Sequence, residues 1–139
     1  MKNKEEKLIK KGMSLEILHY NCRSLATQDR MHEFETALGE IRWDIIGLSE
    51  IRRKGEKLTQ GETGDYFYYF GETVGQKGVG FYITERMWKM VTEVKGIIER
   101  ICTLKLRIET KIQMVVIQVY APTSLVDEQE TQEFFQSRK

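Results

Sequence analysis

The sequence is poor in proline, cysteine and histidine, with one, two and two residues respectively among 139. Cys22 and Cys102 lie far apart, and neither belongs to a CxxC pair. The sequence therefore predicts neither a disulfide framework nor a zinc site, and we expect both thiols to serve as small apolar residues.

Twenty-two basic and 21 acidic side chains leave a formal net charge of +1. This balance excludes a strongly basic chain, so only local patches can favour a polyanionic partner.

Long hydrophobic runs are also lacking. The charged N-terminus holds no apolar stretch of the length that a signal peptide or a membrane span requires. We therefore expect an intracellular protein, nuclear or cytoplasmic, that is not secreted and does not enter a membrane. Residues 1–14 are predicted to form a flexible polar arm, and residues 15–139 have room for one domain with a core that needs no disulfides.

The first half of that domain follows a β-α-β pattern. Residues 15–21 alternate in polarity as a strand does, and the apolar run at residues 44–50 fits a buried strand that closes on a carboxylate. Between them Thr27 is a plausible N-cap, and a helix is indicated by apolar residues at helical spacing: Met31, Phe34, Leu38 and Ile41. The two strands are expected to be neighbours in one sheet, with the helix covering one face.

Further along, the patterns predict mainly strands. The glycines at residues 75–80 precede another strand, so we interpret them as a β-hairpin connection, because a phosphate-binding loop should open a helix. Residues 112–120 are apolar on both faces and predict a central strand, which Pro122 stops. The remaining expectations are a loop at 52–64, strands at 66–70 and 104–109, a helical turn or bend at 84–90, an edge strand at 91–99 and a helix at 127–136.

Polar side chains with useful chemistry follow three of these strands. Asn21, Glu50 and Tyr120 stand at strand ends, and they converge at one end of the sheet if the three strands are parallel and adjacent. A carboxylate suits a hydrated Mg²⁺ ion, which needs only one or two protein carboxylates, while an amide and a phenol can donate hydrogen bonds to phosphate. Each residue taken alone is more often a solvated strand end. The spacing therefore leaves the choice between a site and three solvated side chains open.

Four short motifs in order resemble the endonuclease/exonuclease/phosphatase superfamily, and the likeness is closest to the endonuclease domains of non-LTR retrotransposons and to craniofacial-development-protein-2-like sequences. The motifs are LHYNCRSL at residues 18–25, IGLSE at 46–50, GVGF at 78–81 and VYAPT at 119–123. The resemblance implies a layered α-β-β-α sandwich and hydrolysis of phosphodiester bonds in DNA with Mg²⁺ or Mn²⁺. It assigns Glu50 and Asn21 to the metal site, with Asn21 close to the scissile phosphate and Tyr120 in contact with that phosphate.

The chain departs from the family pattern in two ways. Arg23 stands where the family often has an acidic residue, and a guanidinium there, like that of Arg52, suits a substrate phosphate. The family's later Asp-x-Asn and Asp-His motifs do not occur in the 139 residues, and neither His19 nor His32 replaces them by position. We therefore expect about the first half of the domain, which would be inactive on its own.

Two other functions stay open at this point. One is a catalytically dead remnant that keeps weak nucleic-acid or protein binding, as Arg23 and the basic run at residues 52–54 suggest. The other is a phosphatase of the same fold that acts on a small phosphorylated substrate. An incomplete sandwich would also expose sheet surface, so self-association through that surface is expected.

Overall fold

Two β-sheets and two helices make up residues 14–121, the part of the chain that the computed structural model describes. The fold is mixed α/β and consists mostly of strands. The elements follow one another as β1 (Ile17–Asn21), α1 (Gln28–Leu38), β2 (Ile45–Ser49), β3 (Gly55–Gln60), β4 (Tyr66–Gly71), β5 (Val79–Ile83), α2 (Glu85–Trp88), β6 (Val91–Ile98), β7 (Ile101–Glu109) and β8 (Ile112–Val119).

The first sheet has the strand order β1-β2-β5-β4-β3. Strands β1 and β2 are parallel and α1 connects them, so the predicted β-α-β unit is confirmed. The other pairs in this sheet are antiparallel, and the predicted hairpin connection around residues 75–80 does join the antiparallel strands β4 and β5. The second sheet is an antiparallel meander, β6-β7-β8, with β6 at an edge as expected.

Helix α1 begins as the sequence predicts. The Thr27 side chain accepts a hydrogen bond from the Arg30 N–H at 3.2 Å, and Asp29 lies in the first turn, where a negative charge complements the helix dipole. Phe34 and Leu38 are buried. The expectation that Ile41 continues this apolar face is wrong, because the helix ends at Leu38 and Ile41 is exposed.

Two apolar clusters lie on opposite faces of the first sheet. One joins α1 to the sheet and includes Phe34, Ile46 and Tyr82. The other joins the two sheets and includes residues such as Phe81 of β5 and Leu104 of β7. The first sheet is thus covered by α1 on one face and by the second sheet on the other, and burial of these apolar surfaces is the main stabilising contribution.

Two strand predictions need correction. Residues 55–60 were expected to lie in a loop but form β3, whose pairing with the aromatic strand β4 outweighs its polar composition. Residues 112–119 were expected to form a central strand, yet β8 is an edge strand and Ile117 on its outer face is 60% exposed. Apolar residues on both faces predict coverage on both sides, and within residues 14–121 only the inner face of β8 is covered by the other sheet.

The remaining elements agree with the sequence. Helix α2 is the single turn anticipated at residues 84–90, and Trp88 packs against the core between the sheets. Cys22 and Cys102 are free and buried, as expected for small apolar residues.

No helix within residues 14–121 is long and apolar enough to cross a bilayer. The polar arm up to residue 13, Pro122 and the helix expected at residues 127–136 lie outside the described residues.

Candidate functional site

Asn21 and Glu50 lie at the ends of two adjacent parallel strands. Asn21 is the last residue of β1 and is opposite Ser49, the last residue of β2, so Glu50 follows at the same edge of the sheet. The Cys22 N–H donates a hydrogen bond to the Ser49 carbonyl oxygen at 2.9 Å, and the Ser24 N–H donates to the Glu50 carbonyl oxygen at 2.8 Å. The backbone thus continues to pair beyond the strands, and the loop after β1 is bonded to the loop after β2.

Tyr120 reaches the same end of the molecule by a different route from the one expected. It follows β8, which belongs to the second sheet, so the premise that its strand is a parallel neighbour of β1 and β2 is wrong. Its N–H donates to the Arg100 carbonyl oxygen at 2.8 Å, and the Arg100 guanidinium lies 5.0 Å from the centre of its ring. Tyr120 is therefore held at the turn between β6 and β7.

The turn between β6 and β7 is connected by hydrogen bonds to the segment that follows Glu50. The Gly78 N–H donates to the Glu99 carbonyl oxygen at 3.2 Å, and the Ile51 N–H donates to the Gly78 carbonyl oxygen, also at 3.2 Å. Because Glu99 precedes Arg100 and Ile51 follows Glu50, a short chain of backbone hydrogen bonds connects the neighbourhoods of Tyr120 and Glu50. All three strand-end residues belong to one end of the molecule. Asn21 and Glu50 end adjacent strands, whereas Tyr120 is connected to them only through these intervening hydrogen bonds.

The Glu50 carboxylate is partly shielded and has a cationic partner. Its Oε1 atom accepts a hydrogen bond from Arg52 Nη2 at 3.3 Å, and its side chain is 19% exposed. Asn21 is exposed, and its Oδ1 atom accepts a hydrogen bond from the Arg23 N–H at 3.1 Å. This local bond shapes the start of the loop after β1 and leaves the carbonyl oxygen one further lone pair.

Left-handed backbone conformations are concentrated at this end. The non-glycine residues with positive φ in the described part of the chain are Arg23 (50°), Ser24 (102°), Glu50 (55°), Arg52 (62°) and Lys77 (53°). The Arg52 N–H donates to the Lys77 carbonyl oxygen at 2.8 Å, which joins Lys77 to the same group. Each such conformation costs on the order of 1–3 kcal/mol and persists only where surrounding contacts impose it, and such residues are frequent at functional sites.

The two arginines expected to contact phosphate differ in their surroundings. Arg23 is exposed, whereas Arg52 is partly exposed and pairs with Glu50. The neighbouring Arg53 has a structural role instead: its Nε–H donates to the Leu25 carbonyl oxygen at 2.6 Å, and its guanidinium lies 5.8 Å from the ring centre of Phe67. The basic run at residues 52–54 therefore does not act as one surface patch.

Sequence reasoning missed two charged residues near this end. The Lys77 ammonium lies 3.3 Å from Glu99 Oε1, and Glu99 Oε2 is buried without a hydrogen-bond partner among the described residues. Sequence patterns gave no sign of either, because Glu99 and Lys77 lie in connections between strands and are brought close by pairing between distant segments.

The predicted metal site has to be compared with the side chains present at the strand ends. Within residues 14–121 no group of three or more His, Cys, Asp or Glu side chains is placed to hold a metal. Of the predicted site residues, Glu50 has a carboxylate and Asn21 an amide oxygen, which are ligand types that suit a Mg²⁺ ion that keeps most of its waters. Arg52 competes for the same carboxylate, so a bound cation would have to weaken that ion pair.

An apolar groove lies elsewhere on the described part of the chain. It has a volume of about 330 Å³ and runs between β1 and α1, where it is lined mainly by apolar residues such as Leu18, Tyr20, Phe34 and Ala37. Glu50 is not among its lining residues. Its chemistry suits apolar contacts, so the strand ends remain the candidate site.

No protein-family model matches this chain, and no curated protein sequence matches it either. The four sequence motifs and the geometry of the strand ends are therefore the observations on which a function has to be argued.

Proposed function

We propose that this chain is the N-terminal portion of a Mg²⁺-dependent phosphodiesterase domain of the endonuclease/exonuclease/phosphatase type, similar to a DNA endonuclease. The observation that supports this most directly is the position of Asn21 and Glu50 on the ends of two adjacent parallel strands. The two-sheet arrangement with α1 on the outer face of the first sheet is compatible with a layered α-β-β-α sandwich.

Each residue would then have a distinct task. Glu50 would hold the cation through its carboxylate, and Asn21 would support it from the neighbouring strand end. Arg23 and Arg52 would bind phosphate oxygens, and the Tyr120 phenol would donate to the same phosphate. A bound divalent cation supplies charge neutralisation at the phosphoryl oxygens and a more acidic water.

The same geometry predicts very low activity. Among Asn21, Glu50 and Tyr120, only Glu50 has a carboxylate that can bind metal, and none is a histidine that could act as general base. Loss of a general base typically lowers rates about 10²–10⁴-fold. We therefore expect the purified chain to leave supercoiled plasmid uncut, and nicking that Glu50→Ala abolishes would contradict this expectation.

Cation binding can be tested without activity. Mn²⁺ added to the isotope-labelled chain should broaden the amide signals of Cys22 and Ile51 first, since both flank the strand ends. Glu50→Gln should require about tenfold more Mn²⁺ for the same broadening, because a neutral amide is a much weaker ligand than a carboxylate. Glu40→Gln is the matched control: Glu40 is exposed and follows the C-terminus of α1.

The outcome distinguishes a site from a set of solvated strand ends. Broadening that starts elsewhere, or that is the same in wild type and Glu50→Gln, would exclude Glu50 as a ligand. Equal broadening in wild type and Glu40→Gln, with loss in Glu50→Gln, is the pattern that supports the proposal.

A second candidate is a dead remnant that retains weak nucleic-acid binding. The exposed Arg23 beside Asn21, together with the neutralisation of Glu50 by Arg52, favours it over an active enzyme. Affinity for a DNA duplex that falls steeply with added salt, and that Arg23→Ala weakens, would support this candidate. No binding at low salt would remove it.

A further inference from the structure

The ion pair between Glu50 and Arg52 joins two residues that need different partners in the proposed function. The Nη2 atom of Arg52 lies 3.3 Å from the Oε1 atom of Glu50. Glu50 would bind the cation and Arg52 a phosphate oxygen, so neither side chain can give its full charge to a ligand while it is paired with the other. The ion pair therefore opposes the binding of either ligand alone.

Both members of the ion pair can be reached by a ligand. The Arg52 side chain is 40% exposed and the Glu50 side chain 19%. An ion pair with this exposure contributes little to stability, since water and salt screen the attraction between its charges. A ligand with the charge of one member can therefore replace that member at a small cost.

The backbone beneath the ion pair is held independently of it. The Ile51 N–H donates to the Gly78 carbonyl oxygen at 3.2 Å, and the Arg52 N–H donates to the Lys77 carbonyl oxygen at 2.8 Å. Gly78 lies so close to this segment that a Cβ atom on it would be 3.3 Å from the Arg52 nitrogen. Opening the ion pair therefore requires only rotation of two side chains, and the strand end keeps its position.

Two other arginines at this end are bonded to the backbone. Arg53 donates to the Leu25 carbonyl oxygen, and Arg30 donates to the Cys22 carbonyl oxygen. The contact that the Arg52 guanidinium makes within residues 14–121 is the one with the Glu50 carboxylate. Unlike Arg53 and Arg30, Arg52 can thus exchange its partner for a phosphate without breaking a bond to the backbone.

From this geometry we propose that the Glu50–Arg52 ion pair couples the two ligands of the site, so that a phosphodiester and a divalent cation each strengthen the binding of the other. A phosphodiester bound to Arg52 leaves the Glu50 carboxylate to the cation, and a cation bound to Glu50 leaves the guanidinium to the phosphodiester. This inference rests on the proposed function, because it requires both ligands to bind at the strand ends. It adds a regulation of that site, since the cation is held weakly until a phosphodiester arrives.

The strength of the ion pair limits the size of the coupling. Partly exposed ion pairs change equilibrium constants by factors of up to about five. We therefore expect a phosphodiester to lower the Mn²⁺ concentration that gives half of the broadening by about two- to fivefold. Because coupling between two binding events is reciprocal, Mg²⁺ should strengthen the binding of the phosphodiester by the same factor.

The probes are Mn²⁺ and dimethyl phosphate, a small phosphodiester. Broadening of the Cys22 and Ile51 amide signals is followed as Mn²⁺ is added to the full chain, with about 50 mM dimethyl phosphate or with sodium chloride of the same ionic strength. Dimethyl phosphate should lower the Mn²⁺ midpoint of the wild type, whereas binding of Mn²⁺ by dimethyl phosphate in solution would raise it. Arg52→Gln should have the lower midpoint in either salt, because its Glu50 carboxylate has lost its cationic partner.

Lys54→Gln is the matched control. It removes the same charge from an exposed position two residues further along the chain. It should keep the midpoint of the wild type and the response to dimethyl phosphate. The reciprocal measurement needs no variant: amide shifts caused by dimethyl phosphate should reach half of their final size at a lower concentration when Mg²⁺ is present.

Each result bears on the proposal. A response to dimethyl phosphate in the wild type and in Lys54→Gln, but not in Arg52→Gln, supports it. Equal midpoints for the wild type and Arg52→Gln, or no effect of Mg²⁺ on dimethyl phosphate binding, overturn the coupling and leave the cation site intact. A Lys54→Gln protein that behaves like Arg52→Gln would assign the effect to net charge and also overturn it. Absence of broadening at both amides in the wild type and in Arg52→Gln would overturn the cation site and the coupling together.

Discussion

The Nε–H of Arg53 donates a 2.6 Å hydrogen bond to the carbonyl oxygen of Leu25. Leu25 lies in the loop after β1 and Arg53 in the loop after β2, so this bond joins the loops that begin at Asn21 and Glu50. On the other side of the first loop, Arg30 of α1 donates to the carbonyl oxygen of Cys22 at 3.0 Å. Two arginines that are not themselves candidate ligands thus fix the spacing of the strand ends.

Arg53→Lys should therefore loosen the candidate site. Lysine keeps the charge but cannot reproduce the Nε–H bond together with the planar contacts to Phe67 and Tyr69. We expect the free energy of unfolding in urea to fall by about 2 kcal/mol. Lys54→Ala, at an exposed neighbouring position, should change it by less than about 0.5 kcal/mol. Equal stabilities of the two variants would mean that the bond does not hold the loops.

Gly80→Ala tests the close approach of β4 and β5. A Cβ atom at Gly80 would overlap the carbonyl oxygen of Tyr68 and lie 3.0 Å from the Cα atom of Tyr69. These are backbone atoms of a paired strand that cannot move aside, so we expect a loss of about 3 kcal/mol or failure to fold.

Gly39→Ala is the matched control for that substitution. Its added Cβ would lie 3.4 Å from the carbonyl oxygen of Thr36, and its φ of −64° suits alanine. Its stability in the same urea titration should be unchanged or higher by about 0.4–1 kcal/mol. A Gly80→Ala protein as stable as Gly39→Ala would show that the sheet can adjust.

Alkaline pH should destabilise the fold. Burial raises the pKa of Cys22 from its ordinary value of 9.0 to about 12, and it also raises the pKa of Cys102. Burial, and then hydrogen bonds to Glu56 and Glu35, raise the pKa values of the Tyr68 and Tyr82 phenols. These groups stay protonated in the folded state at a pH at which the unfolded chain has lost the protons.

The sign of the effect follows from proton binding. Above the unfolded pKa values the folded state binds more protons, so the free energy of unfolding falls as pH rises, and the full stability is present below about pH 9. Urea titrations between about pH 7 and 11 should show a steady decline from pH 9 upwards, and Cys22→Ala should reduce its slope. A stability that is flat or rising above pH 9 would contradict the burial of these groups.

Local sequence patterns were sufficient to predict the first part of the fold, the β-α-β unit. The β-α-β unit follows from the apolar run at residues 44–50, the cap at Thr27 and the helical spacing of Phe34 and Leu38, all of which depend on neighbours in sequence. The same patterns could place Asn21 and Glu50 at one edge, because parallel strands joined by a helix have their C-terminal ends together.

What depends on distant pairing could not be predicted in this way. Apolar residues on both faces of β8 indicate that the strand can be buried. Only the order of strands in the sheet shows that β8 is an edge strand. Similarly, Tyr120 ends a strand of the other sheet, which its sequence neighbourhood does not reveal. The left-handed conformations of Glu50 and Arg52 gave no signal, since neither residue is the glycine or asparagine that usually adopts them.

Each sheet is built from its own continuous stretch of chain, the first from residues 17–83 and the second from residues 91–119. During synthesis at about 5–20 residues per second, the first sheet can therefore leave the ribosome seconds before the strand that completes the second. Throughout that interval Ile45, Phe81 and Ile83 face water. A chaperone that binds nascent apolar surface would meet this sheet first, and slower translation across residues 84–119 would lengthen the encounter.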